Sequence, residues 1–174
     1  METLVVNLFG APSTGKSTIA YGLMYQLKIL DIECEFASEY AKDLVFDGDM
    51  SVFENQKEIY QEQKRRLLRY VNKVSVVITD SPLPLFIYYD KTNDIEFKNI
   101  IVEEFLNFNN LNFFLIRNHQ YNPNGRYQNE KEAEEVHEGI LQILNNNSIS
   151  YFEFKSGLES LDFICDKIIQ KINL

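Results

Sequence analysis

The segment GAPSTGKS, Gly10 to Ser17, carries the densest chemistry in the chain. It matches the spacing G-x-x-x-x-G-K-S in full, a pattern whose backbone amides converge on a phosphate group. Gly10 and Gly15 leave room for close backbone wrapping, and Ala11, Pro12, Ser13 and Thr14 form the body of the cradle. Lys16 supplies a compact positive charge able to bridge β- and γ-phosphates, and the Ser17 hydroxyl is of the type that ligates Mg²⁺. Thr18 follows at a position suited to the α-phosphate. The ligand this pattern calls for is a nucleoside triphosphate, with ATP and Mg²⁺ as the expected pair.

Acidic side chains at sheet edges come next. Asp80 closes the run VSVVIT, and in an open α/β sheet the C-terminal edge of the strands carries the ligands. Two roles are open to it, support of Mg²⁺ and general base. Glu39, in SEYAKD after a weaker strand, is placed at the same edge, where it could orient or deprotonate an acceptor hydroxyl. A Glu at a helix start also has a purely electrostatic reason to be there. Asp43 lies one helical turn further on. Phosphoryl transfer needs positive charge where the γ-phosphate moves. Arg126, in NPNGRYQ, could close over that point, and Arg117, at the end of a strand, could stack on a base or touch phosphate.

Other polar groups have simpler readings. Lys64, Arg65, Arg66 and Arg69 form one face of a helix balanced by Glu58 and Glu62, with contact to an acceptor phosphate or a nucleic acid as the alternative. His119 and His137 lack a second ligand at metal-binding spacing. Cys34 and Cys165 form neither a CxxC nor a Cys/His cluster and read as reduced structural thiols. Tyr40, Phe53, Tyr88 and Tyr127 could line an acceptor pocket.

The elements that must position these groups are legible from periodicity. Leu4 to Phe9 is a β-rich run closed by Gly10, and Lys16 to Leu30 carries Ile19, Leu23, Leu27 and Leu30 at helical spacing. Strands are expected at Ile32 to Ala37, Val74 to Thr79, Leu111 to Ile116 and Ile149 to Phe154. Helices are expected at Ser38 to Phe46, from a Ser51 cap with Glu54 to about Asn72, at Asp94 to Asn109, Asn129 to Leu144 and Leu158 to Ile172. Pro82 and Pro84 make a tight exit after Asp80, and His119 to Gln128 reads as a mobile loop. Strands alternating with helices imply a mostly parallel sheet covered on both sides.

The chain has 174 residues, which fits one α/β domain spanning residues 1–174. Its 26 acidic and 17 basic side chains leave a net charge of -9, which repels an extended polyphosphate and disfavours nucleic acid as partner. A small phosphorylated ligand needs only one positive loop and fits that balance. No apolar run reaches the length of a membrane span, and Glu2 followed by the short run Leu4 to Phe9 does not read as a signal peptide. A cytoplasmic protein is expected, in a host's cytoplasm if a phage encodes it, and the sequence is compatible with a homo-oligomer.

Taken together, GAPSTGKST at Gly10 to Thr18, EYAKDLVF at Glu39 to Phe46 and TDSP at Thr79 to Pro82 resemble the P-loop kinases that include the ribosylnicotinamide kinase domain of NadR proteins and small kinases of bacteriophages. The resemblance implies a P-loop NTPase three-layer sandwich of kinase type, with a five-stranded parallel sheet and the Asp80 strand beside the phosphate-loop strand. It implies Lys16 and Ser17 as nucleotide and Mg²⁺ contacts, Glu39 and Asp80 as acceptor-side acids, and a lid at 118–130 bearing Arg126. Ile78 departs from it, standing where such strands often place an acid two positions before the terminal Asp, so nicotinamide riboside is not assigned as acceptor. The expected activity is ATP-dependent phosphorylation of a hydroxyl on a small nucleoside or nucleotide. Two alternatives are a kinase acting on hydroxymethylated bases in phage DNA and a nucleotide-dependent switch or assembly ATPase. The chain lacks an NKxD segment for reading guanine.

Overall fold

The run LVVNLF forms strand β1, Leu4–Phe9, and all of its residues are buried. Burial on both faces is what an apolar, β-branched segment achieves at the centre of a parallel sheet. The computed structural model describes residues 2–48, 55–118, 120, 129–155 and 157–172, except the side chain of Leu158. The expected start of the third helix at Ser51 and Glu54 and the loop from His119 to Gln128 lie outside the described residues, apart from Gln120.

Along the chain β1 is followed by α1 (Lys16–Ile29), β2 (Cys34–Ala37), α2 (Tyr40–Asp47), α3 (Gln56–Leu68), β3 (Val76–Thr79), α4 (Leu85–Tyr89), α5 (Ile95–Leu106), β4 (Asn109–Ile116), α6 (Glu130–Asn146), β5 (Phe152–Lys155) and α7 (Leu158–Ile172). The five strands form one sheet in the order β2-β3-β1-β4-β5. All its pairings are parallel, with Leu4 opposite Val76 on one side of β1 and Asn109 on the other. The strand ending at Asp80 therefore adjoins the strand leading into the phosphate loop, as the resemblance implied.

Alternation along β1 separates two apolar layers. Leu4, Val6 and Leu8 pack with Val76, Ile78, Phe113 and Leu115 against residues of α1 and α7. Val5 and Phe9 pack with Val77 and Phe114 against residues of α3, α4, α5 and α6. At about 1.5–3 kcal/mol for each fully buried large apolar side chain, these layers hold β1 and the loop leaving it on a rigid base. No helix among the described residues is long and apolar enough to cross a membrane.

Several boundaries move from their expected places for local reasons. β4 begins at Asn109 rather than Leu111 because its polar residues find partners within the sheet. Asn7 Nδ2 donates to the side-chain oxygens of Asn110 at 2.8 Å and Asn112 at 3.0 Å, while Asn110 donates to the Phe105 carbonyl at 2.6 Å. A buried amide ladder of this kind is satisfied only in one register. β2 starts after Ile32 because the Ile32 N–H still bonds the Leu27 carbonyl at 3.0 Å, closing α1 around Asp31 at φ 56°. β5 starts late for the same reason, since the Ile149 N–H returns to Leu144 at 2.9 Å. The capping box of Asn129 with Glu132 starts α6 where expected.

Candidate functional site

Where β1 ends, the chain turns through Gly10 at φ 141° and reaches α1 through Ser13 at φ 64° and Gly15 at φ 87°. Gly10 is required twice over. Its φ is one that residues with a Cβ rarely adopt, and an added methyl would lie 2.7 Å from the Leu115 carbonyl oxygen and 2.9 Å from Thr14 Oγ1. Gly10→Ala is accordingly expected to destabilise the fold by at least about 2 kcal/mol, read as a lower midpoint in urea unfolding.

The loop is braced from within. Thr14 Oγ1 donates to the Ala11 carbonyl at 3.0 Å, and Ala11, Ser13 and Thr14 are buried. Lys16 Nζ donates to the carbonyls of Gly10 at 2.8 Å and Ala11 at 3.0 Å, so the ammonium lies across the mouth of the loop. Pro12, Gly15 and Ser17 are half-buried and Thr18 is exposed on the first turn of α1. That turn carries no acidic residue, which leaves the positive end of the helix dipole to an anion.

Asp80, directly after β3, is 2% exposed and engages both carboxylate oxygens. Oδ2 accepts from the Ser17 hydroxyl at 2.5 Å, and Oδ1 accepts from the backbone N–H of Glu39 at 3.0 Å. Lys16, Ser17, Glu39 and Asp80 thus meet at the C-terminal edge of β1, β2 and β3. Pro84 stands at the N-cap of α4, so the two prolines turn the chain and a short helix starts at once.

Ser17 and Asp80 offer hard oxygen donors beside the loop, the donor chemistry Mg²⁺ prefers, so the residues present fit the ion that this kind of loop uses. Among the described residues there is no group of three or more His, Cys, Asp or Glu arranged to hold a metal.

Glu39 is the N-cap of α2, but its side chain makes no capping bond. Burial first, and then the Glu39 charge, hold the Tyr89 hydroxyl well above the ordinary tyrosine range. Tyr88 stands edge-on to Tyr89, with centroids 5.2 Å apart, and its ring fills the space over Gly139 of α6. Of these two aromatics, Tyr88 is thus wedged against a helix while Tyr89 neighbours the acid.

The basic residues of α3 are absorbed into pairs. Lys64 bonds Glu104 of α5 at 2.5 Å, together with the Tyr60 hydroxyl, and Arg65 pairs with Glu62 at 2.6 Å. Arg66 reaches Asp43 of α2 at 2.6 Å and Glu62 at 3.3 Å, and lies 4.8 Å over the ring of Tyr40. Of the expected balance, Glu62 takes part, but Glu58 instead accepts from Asn55, the N-cap of α3. Arg117, just after β4, pairs with Glu130 at 3.2 Å and Glu134 at 3.9 Å on α6. Arg126, Phe53, Tyr127 and His119 lie outside the described residues. His137 packs edge-on against Phe114 at 5.0 Å, and Cys34 and Cys165 are buried free thiols whose pKa burial raises.

Gln63 stands beside the basic cluster of α3 with no role of its own legible in the motifs. It is 1% exposed, accepts from Tyr40 N–H at 2.8 Å and donates to the Ser38 carbonyl at 3.2 Å. A signal was available: Ile59, Tyr60, Gln63 and Leu67 are the buried residues of α3, so a polar residue sits on the apolar stripe.

A five-stranded parallel sheet in this order, with helices on both faces and a phosphate loop between β1 and α1, defines the P-loop NTPase fold, whose members bind a nucleoside triphosphate with Mg²⁺. A family model described as an AAA domain matches residues 5–160, and the chain belongs to that family. No curated protein sequence matches it significantly. Among solved structures it is similar to thymidylate kinase from Ehrlichia chaffeensis, with 14% identity, a TM-score of 0.60, and coverage of 99% of this chain and 100% of that one.

Proposed function

We propose that the protein transfers the γ-phosphoryl group of ATP to a hydroxyl of a nucleoside or nucleotide. The observation that carries this reading is the convergence of Glu39 on the Ser17–Asp80 pair through the Glu39 N–H. It brings the backbone of a residue that bears a second acid onto the carboxylate beside the phosphate loop, where hydrolysis alone would need only an ordered water. Full-length likeness to a solved thymidylate kinase supports the same class of chemistry.

In this reading Lys16 leaves the Gly10 and Ala11 carbonyls for the β- and γ-phosphates, and Ser17 and Asp80 would hold Mg²⁺. The ion would supply charge neutralisation on the phosphate oxygens. The acceptor hydroxyl oxygen forms a bond to the γ-phosphorus as the bond to the β,γ-bridging oxygen breaks. ADP leaves with that electron pair, and the hydroxyl proton passes to Glu39. Asp80 is the less suitable base because both its oxygens already accept hydrogen bonds. Arg126 is proposed as the lid arginine, and Arg117 as a tie between the sheet edge and α6 at the base of that segment.

Modified DNA is a weaker acceptor, since Lys64, Arg65 and Arg66 are each paired with carboxylates and the net charge is -9. The family description as an AAA domain favours a second reading, a nucleotide-dependent switch or assembly ATPase. A panel separates them: radiolabelled γ-phosphate transfer with Mg²⁺ to nicotinamide riboside, nucleosides, nucleoside monophosphates and hydroxymethyluracil DNA. Label is expected on one small acceptor. Phosphate release with no labelled acceptor would instead establish the ATPase.

A further inference from the structure

We propose that Gln63 is a positioning residue of the phosphate site, setting the Asp80 carboxylate against Ser17 through the peptide group that joins Ser38 to Glu39. That peptide carries two of the relevant bonds. Its carbonyl, from Ser38, accepts from Gln63 Nε2 at 3.2 Å, and its N–H, from Glu39, donates to Asp80 Oδ1 at 3.0 Å. A trans peptide is planar, and its C=O and N–H point in opposite directions, so fixing one end aims the other. Gln63 Oε1 holds the next peptide too, accepting from Tyr40 N–H at 2.8 Å. The remaining Asp80 oxygen meets the Ser17 hydroxyl at 2.5 Å, which completes a continuous link from α3 to the phosphate loop.

An amide is the side chain this place requires. It must donate to one peptide and accept from the next while lying on the buried stripe of α3, and a carboxamide offers both neutral functions from one planar end at any pH, as a carboxyl does only while protonated. A Leu or Met there would fill the space and leave the Ser38 carbonyl and the Tyr40 N–H unpaired. Tyr40 is the first residue of α2, so its N–H has no acceptor within the helix. Arg66, one turn along α3, steadies the same segment through Ser38 Oγ at 3.4 Å, Asp43 and the Tyr40 ring.

A group of this kind acts on the metal site through its neighbour, and loss of such supporting bonds commonly weakens metal affinity or activity about 10–100-fold. The test uses Gln63→Met and Gln63→Glu in the full chain, with a fluorescent ATP analogue as probe. The quantity read is the Mg²⁺ concentration giving half of the metal-dependent change in nucleotide binding, alongside the melting temperature. Gln63→Met is expected to raise that concentration about tenfold, with metal-free nucleotide affinity unchanged. Gln63→Glu replaces both hydrogen bonds while its carboxyl is protonated and loses the donor when it ionises. The charged groups tied to the segment it holds are Arg66 with its partners Glu62 and Asp43, and Asp80 through the Glu39 N–H. Its Mg²⁺ requirement should therefore match wild type at low pH and diverge upward as pH rises, whereas the ratio of Gln63→Met to wild type stays level.

Folded variants with lowered melting temperatures but wild-type Mg²⁺ requirement at every pH would overturn the proposal, leaving Gln63 a cap for α2 only. The proposal rests on the phosphoryl-transfer reading only for its catalytic consequence, a lower kcat at limiting Mg²⁺. Failure of transfer to every acceptor would sink that reading without changing the binding measurement.

Discussion

Lys16→Ala is expected to lower ATP-dependent phosphoryl transfer by about 10²–10³-fold, mostly in kcat, while the protein stays folded. The side chain is half-buried at the start of α1, and its ammonium bonds the carbonyls of Gly10 and Ala11. Those bonds close the loop on itself and are the contacts a triphosphate would replace. Charge accumulates on the β,γ-bridging oxygen as its bond to phosphorus breaks, so a cation placed there binds the transition state more strongly than the ground state. Ala is the strongest helix former and suits the first turn. The two carbonyls can turn to water at the loop mouth, which limits the cost to stability. The check is kcat and KM for ATP beside a thermal melt. A collapse of the melting transition together with activity would assign Lys16 to holding the loop instead. Lys16→Arg should recover little, because a planar guanidinium is too broad for a site shaped around a point charge.

The phosphate loop and its strand and helix were legible because both rest on local rules. Gly10 and Gly15 stand where φ is positive, and the apolar run of β1, broken only by Asn7, is buried on both faces. Asp80 and Glu39 were legible by their place at strand ends, since a parallel sheet collects those ends on one edge. What spacing did not reveal depends on partners distant in sequence. Asn109 reads as the end of a helix and Asn110 as the link to the strand, because the register of Asn109 with Leu4 and the bond of Asn110 to Asn7 become visible only when β1 and β4 align. Helical spacing points Lys64 at carboxylates of its own helix, whereas its partner is Glu104, 40 residues away. Gln63 lay hidden in a polar stretch because periodicity weights apolar residues, and its role is written in the backbone groups of α2. Tyr88 and Tyr89 are not separable by sequence, because position along a five-residue helix does not say which ring meets α6.

Asp80→Asn is expected to separate the two roles open to this residue. Both oxygens of the native carboxylate accept hydrogen bonds, one from Ser17 and one from Glu39. An asparagine can keep its oxygen on the Glu39 N–H and turn its NH₂ toward Ser17, whose hydroxyl then accepts instead of donating. The fold survives this exchange because no buried group is left unpaired. The site nevertheless loses a negative charge, and the Ser17 oxygen lone pair that would meet the metal is occupied. The Mg²⁺ concentration for half-maximal activity should rise about 10–100-fold. Because neither Asp80 oxygen is placed to receive a proton, kcat should recover most of its value at saturating Mg²⁺. A deficit of about 10²–10⁴-fold that persists at saturation is what loss of a general base produces, and would move that role from Glu39 to Asp80. Glu39→Gln gives the complementary result: an unchanged Mg²⁺ requirement, because the backbone N–H that holds Asp80 is retained, with a loss in kcat that no concentration of Mg²⁺ restores.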